Sequence, residues 1–205
     1  MLTQLFSNPL SALIAIVCFI IAVTIHEFAH AKAADSLGDP TPEAYGRLTL
    51  DPRAHLDPWG SLLFLLVGFG WAKPVPFDPY NFSHPRRDGA LVAAAGPMTN
   101  IACAILAALI IRLVPFGMFS AFLGLLIYVN VMLAIFNLLP FAPLDGFKVV
   151  LGLLSKDQAS EWIKLERYGI WFLLFFMLPL TGSKSMLELY IVPLIQKTVG
   201  ILIGG

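Results

Sequence analysis

Within the stretch TIHEFAHAK, Thr24 to Lys32, two histidines and a glutamate fall inside five residues. His26 and His30 are four positions apart, which on a helix means about 40° around the axis and one turn along it. Both imidazoles can therefore reach one metal ion, with Glu27 beside them and free to act on a water that the metal holds. This is the H-E-x-x-H arrangement of zinc hydrolases. Zinc suits imidazole and brings the pKa of a bound water toward neutrality. The glutamate then takes the proton as water attacks a carbonyl, and returns it to the leaving amine.

A catalytic zinc usually has three protein ligands and keeps one position open, so a third ligand is needed. His55 and His84 lie in polar, proline-rich loops, where a solvated or structural histidine is the commoner outcome. The stretch NLLPFAPLDGFK, Asn137 to Lys148, is a better source. There a long apolar run is interrupted by Pro140 and Pro143 and delivers Asp145, followed by Gly146. Prolines free backbone groups at membrane depth, which is tolerated where the chain is buried in protein or lines a site. The plainer reading of Asp145 is an interfacial helix cap. Asn100 and Asn130 are read as interhelical hydrogen-bonding amides, and the small residues Ala93 to Gly96 as a close-packing surface.

These residues sit in an apolar setting. The run Leu10 to Val23 ahead of the first motif is almost entirely aliphatic, and an ionisable group inside a bilayer is costly enough to imply a function. Of the 205 residues 58% are hydrophobic and 13% charged, with a mean hydropathy of +0.81. Soluble domains run near 45–50% apolar and about 25% charged, so the composition is that of a membrane protein. Net charge is zero, which gives a nucleic-acid partner no electrostatic support. Cys18 and Cys103 lack metal-type spacing and read as small core residues. No basic segment precedes the first apolar run, so a cleaved signal peptide is not expected.

A spanning helix needs about 20 mostly apolar residues. Leu10 to Ala33, Ala90 to Val114 and Phe116 to Pro140 come near that, and Tyr168 to Leu180 and Met186 to Ile203 suggest two further spans. Trp59 to Trp71 is too short, contains three glycines, and is bracketed by Pro58 and Pro74; it reads as re-entrant. Tyr45 to Leu50 reads as a short strand, with Asp51-Pro52 as a turn. Charge bias agrees with re-entrance. Residues 31–89 carry Lys32, Arg47, Arg53, Lys73, Arg86 and Arg87, and residues 145–167 carry Lys148, Lys156, Lys164 and Arg167. If Trp59 to Trp71 dips and returns, all of them face the cytoplasm. The helices bearing His26 and Asn137 then run in the same direction, and Asp145 emerges level with the histidines. A crossing segment would put Asp145 on the opposite face.

HEFAH in a transmembrane helix, with NLLPFAPLDG following much later, resembles the site-2 protease family of intramembrane zinc metalloproteases. AAAGPMTN, Ala93 to Asn100, is similar to that family's A-G-P-x-x-N stretch, and GRLTLDPRAHLDPWG and WAKPVPFDPYNF look like its loop segments. The resemblance runs from about Val23 to Lys148. It implies His26, His30 and Asp145 as ligands of one zinc per chain, Glu27 as catalytic acid/base, and Asn137 as a residue that binds the substrate backbone. It looks like a minimal member, with room for neither a PDZ domain nor a CBS pair.

The expectation is thus an all-α, polytopic membrane protein forming one intramembrane metalloprotease domain over 1–205. Its three-helix catalytic core occupies about 8–148 and two more helices about 168–205. The expected activity is zinc-dependent hydrolysis of peptide bonds in or near transmembrane segments of membrane-protein substrates, with the active site toward the cytoplasmic side of the lipid bilayer. The strand at 45–50 would hold an unwound substrate by strand addition. Two rivals are a metal-binding membrane protein such as a carrier, and a catalytically inactive scaffold. A carrier needs a polar path, which the apolar outer halves of the motif helices do not offer. A scaffold has no need of Glu27.

Overall fold

The computed structural model describes residues 8–67, 70–114, 117–181 and 184–204, and its regular structure is almost entirely helical. Helix α1 (Pro9–Ser36) begins where Asn8 accepts a hydrogen bond from the Ser11 N–H at 3.2 Å. Pro9 takes the first helical position, where its missing N–H would have had no partner anyway. The helix stops at Leu37 and Gly38. Gly38 has φ +100°, a reversal that a side chain would strain.

A loop region follows with short helical turns α2 (Thr41–Ala44) and α3 (Pro52–His55), then helix α4 (Pro58–Val67) and a 3-10 turn at Pro79–Asn81. Helix α5 (Pro85–Leu113) starts with proline at N1 and with Asp88 accepting from the His84 N–H at 2.9 Å. Helix α6 (Gly117–Asn137) follows. α1, α5 and α6 are the described helices long and apolar enough to cross a membrane.

The three pack through small residues. Ala104, Ala107 and Ala108 of α5 meet Leu123, Ile127 and Val131 of α6, and Cys18, Phe19, Ala22 and Val23 of α1 meet Val129. Without a hydrophobic driving force in lipid, such close approach supplies the packing energy. The outward faces carry Leu13, Leu106, Leu109 and Phe119, all at least half exposed. In water that surface would be an aggregation hazard; against acyl chains it is the solvent contact. The protein is a membrane protein with a three-helix core.

Other expectations need correction. No strand forms at 45–50. Gly46 turns the chain with φ +66°, and Arg47 buries its guanidinium against the carbonyls of Ala54, Lys73 and Pro74. With the chain turned at Gly46 and Arg47 anchored inward, no ladder partner is in place. Asp51 instead caps α3, accepting from the Arg53 N–H at 3.0 Å. The segment after α3 leaves and returns to its start: Leu56 bridges Ala72, and the Lys73 N–H donates to the His55 carbonyl at 2.8 Å. Phe64 on α4 stacks on Phe19 of α1 with ring centroids 3.8 Å apart.

Beyond α6 come α7 (Asp145–Leu153), α8 (Lys156–Ile163) and α9 (Gly169–Met177). Strands β1 (Pro179–Thr181) and β2 (Lys184–Ser185) pair antiparallel, and a π turn at Leu187–Ile191 leads into α10 (Val192–Ile203). Of the two further spans expected here, the first is shorter than expected: α9 is nine residues, against the roughly 20 a crossing needs, and Pro179 ends its apolar run in an extended strand. In the second apolar run the π turn continues with helical backbone directly into α10, so one helical stretch covers 187–203.

Candidate metal centre

His26 and His30 lie one turn apart near the C-terminal end of α1, with ring centroids 4.6 Å apart and nearly perpendicular planes. Asp145 reaches them from the first residue of α7. Two glycines make that approach possible. A Cβ on Gly146 would run into the carbonyls of Leu138 and Leu139, so the chain can fold back onto the end of α6 only because that atom is missing. A Cβ on Gly152 would strike Ala90, so α7 lies directly across the first turns of α5. The Trp162 indole N–H fixes this arrangement by donating to the Phe147 carbonyl at 3.1 Å.

The result is a triangle of ligand atoms. His26 Nε2 and His30 Nε2 are 3.0 Å apart, and Asp145 Oδ2 lies 3.1 Å from the first and 3.2 Å from the second. Both histidines are buried, and the Asp145 side chain nearly so.

The far sides of the rings determine what the near sides present. His30 Nδ1 donates to the Val92 carbonyl at 2.7 Å. His26 Nδ1 donates to Asn100 Oδ1 at 2.6 Å. A carbonyl oxygen, whether of the Val92 backbone or of the Asn100 amide, can only accept, so with these partners each imidazole places its proton on Nδ1 and turns Nε2 inward. Two lone pairs and a carboxylate oxygen then face one point, which is the donor set of a metal ion.

The donor set and its spacing suit zinc. Tetrahedral bonds of about 2.0–2.1 Å place ligand atoms roughly 3.3–3.4 Å apart, a few tenths of an ångström beyond the edges found here. Val92, Gly96 and Asn100 follow one another at four-residue spacing and so share one face of α5. A Cβ at Gly96 would come within 2.5 Å of His30 Nε2 and 2.7 Å of His26 Cε1, so the imidazoles rest on a glycine floor.

Glu27 is buried beside the histidines and makes no hydrogen bond among the described residues. Its charge acts on Arg47, whose guanidinium is drawn below its usual range by burial and pushed partly back by Glu27. His55 and His84 do not join the cluster. His55 is fully buried and its Nε2 faces the Thr49 carbonyl at 2.8 Å, while His84 is an exposed residue at the start of α5. Asn137 ends α6 half-buried, its Nδ2 donating to the Leu133 carbonyl at 3.0 Å and its Oδ1 uncommitted among the described residues.

Sequence reasoning missed three contributors. The Val92 carbonyl has no signature, because any residue carries one. Gly96 was read as packing in general, although its four-residue offset from Asn100 matches that of His26 and His30. Arg47 was placed on a strand rather than in the interior.

The family model for Peptidase family M50 matches residues 113–180. A Bacillus subtilis protein named "Putative zinc metalloprotease YwhC" is 40% identical over 196 residues, covering 85% of this chain and 90% of that protein. A Mycobacterium tuberculosis protein named "Putative zinc metalloprotease Rip2" is 31% identical over 167 residues, 76% of this chain and 63% of its own length. A Methanocaldococcus jannaschii protein, "Putative zinc metalloprotease MJ0611", is 29% identical over 154 residues, 71% of this chain and 75% of its own. No solved structure matches. With that degree of identity sustained over nearly the whole of YwhC, the chain belongs to Peptidase family M50, the site-2 protease family of metalloproteases.

Proposed function

We propose that the protein is an intramembrane zinc endopeptidase that cuts membrane-protein substrates in or near their transmembrane segments. His26, His30 and Asp145 hold one zinc, and Glu27 is the acid/base. The observation that carries this reading is the inward triangle of two imidazole nitrogens and a carboxylate oxygen, all within 3.2 Å of one another. The zinc, when bound, supplies a Lewis acid that polarises the scissile carbonyl and acidifies water.

The chain's own residues do the rest. Glu27 makes no hydrogen bond among the described residues, which leaves its carboxylate to accept the proton of the attacking water and return it to the departing amine. Burial keeps it from competing hydration. Asn137 Oδ1, uncommitted at the end of α6, accepts from a substrate backbone N–H and helps hold a segment that has unwound. A substrate helix must unwind because its peptide groups are otherwise satisfied internally.

Two observations support an orientation for the site. Leu56 bridges Ala72, so the segment between them begins and ends in one place, as a re-entrant segment must. The basic residues of 31–89 and 145–167 then share a side with the metal centre, and the positive-inside bias makes that side cytoplasmic.

The test uses Glu27→Gln, which keeps size and hydrogen bonding but removes the base. Purified protein should retain zinc, while cleavage of a panel of single-pass membrane proteins falls by orders of magnitude. Full cleavage by Glu27→Gln would overturn the role of Glu27. Absence of zinc in the wild type would overturn the metal reading.

A further inference from the structure

Asn100 and Asn130 are both fully buried amides in the middle of the three-helix core, one on α5 and one on α6. Their hydrogen bonds form one directed chain. Asn130 Nδ2 donates to the Leu126 carbonyl at 2.8 Å. That leaves Asn130 Oδ1 to accept from Asn100 Nδ2 at 2.7 Å, and Asn100 Nδ2 also donates to the Ala22 carbonyl at 3.1 Å. Asn100 Oδ1 is left to accept from His26 Nδ1 at 2.6 Å.

The direction is not arbitrary. Both ends of the amide pair are anchored on backbone carbonyls, which can only accept, so neither amide can flip without setting oxygen against oxygen in a buried site. The fixed orientation passes along the chain to the imidazole, which must carry its proton on Nδ1. His30 needs no such device, because its Nδ1 already faces the Val92 carbonyl.

We propose that Asn100 and Asn130 are positioning residues for the metal centre, a two-amide relay that sets the tautomer and ring orientation of His26. A plain interhelical clasp would need only the Asn100–Asn130 contact. The relay also reaches α1 twice, at the Ala22 carbonyl and at the His26 ring, one helical turn apart. All three core helices are thereby brought into register with one metal ligand. Removal of a partner behind a metal-binding histidine typically weakens metal affinity about 10–100-fold.

The inference rests on the zinc reading above, and one set of variants separates the two. Zinc affinity is measured on the full chain in detergent by competition with a chromophoric chelator, with unfolding of the metal-free protein followed in parallel. Asn100→Leu should bind zinc about 10–100-fold more weakly. Asn100→Asp, which still accepts from His26, should bind more tightly than Asn100→Leu even though it destabilises the apolar core more. A merely structural role predicts the reverse order, since leucine suits that interior better than a carboxylate. Asn130→Leu should give a smaller loss, because Asn100 keeps the Ala22 carbonyl. Nitrogen-15 spectra of labelled histidine in metal-free protein should show His26 protonated on Nδ1 in the wild type and a minor Nε2–H population in Asn130→Leu, where Asn100 keeps one of its two fixed partners. If Asn100→Leu fails to fold, the Asn130→Leu affinity and spectrum decide the matter. Wild-type affinity and a single Nδ1–H tautomer in Asn130→Leu, or Asn100→Leu binding as tightly as Asn100→Asp, would overturn the relay. Unchanged zinc binding in His26→Ala would instead overturn the ligand assignment on which the relay stands.

Discussion

His30 Nε2 and Asp145 Oδ2 stand 3.2 Å apart, although one lies near the end of a membrane-length helix and the other opens a short helix late in the chain. The contact depends on the folded-back turn between α6 and α7, so the proposed metal centre is a tertiary property rather than a local motif. Removing either partner should therefore act on the metal itself. His26→Ala, His30→Ala and Asp145→Ala should each lose most of the bound zinc and all detectable proteolysis, as measured by metal content after purification and by cleavage of a membrane substrate. Normal zinc in Asp145→Ala would send the search for the third ligand to another residue.

The glycine beneath the imidazoles gives a second expectation. A methyl group at Gly96 would lie 2.5–2.7 Å from ring atoms of both histidines, closer than any real carbon contact, so the rings must shift. Overpacking of this kind costs about 1–3 kcal/mol, and here the displaced groups are the proposed ligands. Gly96→Ala should lower zinc affinity by at least tenfold, the equivalent of about 1.4 kcal/mol. Gly124→Ala is the control. A Cβ there meets nothing within 4 Å, and the glycine lies in α6 without positive φ, so zinc affinity should stay at the wild-type value. Equal affinity in both variants would remove Gly96 from the site.

How much of this was legible beforehand follows from range in sequence. His26, Glu27 and His30 fall within five residues of one helix, so their proximity could be read from spacing alone. Asp145 was legible because prolines after an apolar run single out the residue they deliver. The Val92 carbonyl and the floor at Gly96 are relations between helices, carried by a backbone group and a missing atom, and leave little trace in composition. The strand expected at 45–50 failed for a physical reason. Extended backbone needs a ladder partner, and Gly46 and Arg47 turn that stretch instead into an anchor for the carbonyls of Ala54, Lys73 and Pro74. Apolarity likewise overstated the length of α9, where Pro179 ends the apolar run in a short strand.

Asp39 offers a pH-dependent test of the loop that follows α1. Burial alone would raise its carboxyl, but the hydroxyl and N–H of Thr41, the Asn81 amide and the Asp78 N–H all donate to it and hold it below the usual carboxylate range. A carboxyl depressed by folding stabilises the protein above its unfolded pKa, and that contribution fades as pH falls through the lower folded value. Asp39→Asn should cost about 1–3 kcal/mol near neutral pH, with the deficit shrinking once the pH drops below roughly 4. Unfolding of metal-free protein in detergent, followed at several pH values, reads this directly. A deficit that stays constant down to pH 3 would show that shape, and not charge, is what Asp39 supplies.

The last prediction concerns topology, on which the catalytic proposal depends. Ten-residue α4 reaches only about 15 Å, half the hydrocarbon thickness, and the chain comes back to bridge Leu56 with Ala72. Ser36 and Ser83 should therefore lie on the same side of the membrane, and the basic bias of residues 31–89 makes it the cytoplasmic one. Position 118, exposed at the start of α6, should lie on the opposite side because α5 crosses between them. Single cysteines at 36, 83 and 118, in a background lacking Cys18 and Cys103, can be labelled with an impermeant maleimide from either face of oriented vesicles. Positions 36 and 83 should react together from the cytoplasmic face, and 118 only from the other. Labelling of 36 and 83 from opposite faces would mean that the segment crosses. Asp145 would then emerge across the bilayer from His30, and a metal centre shared by the two could not assemble.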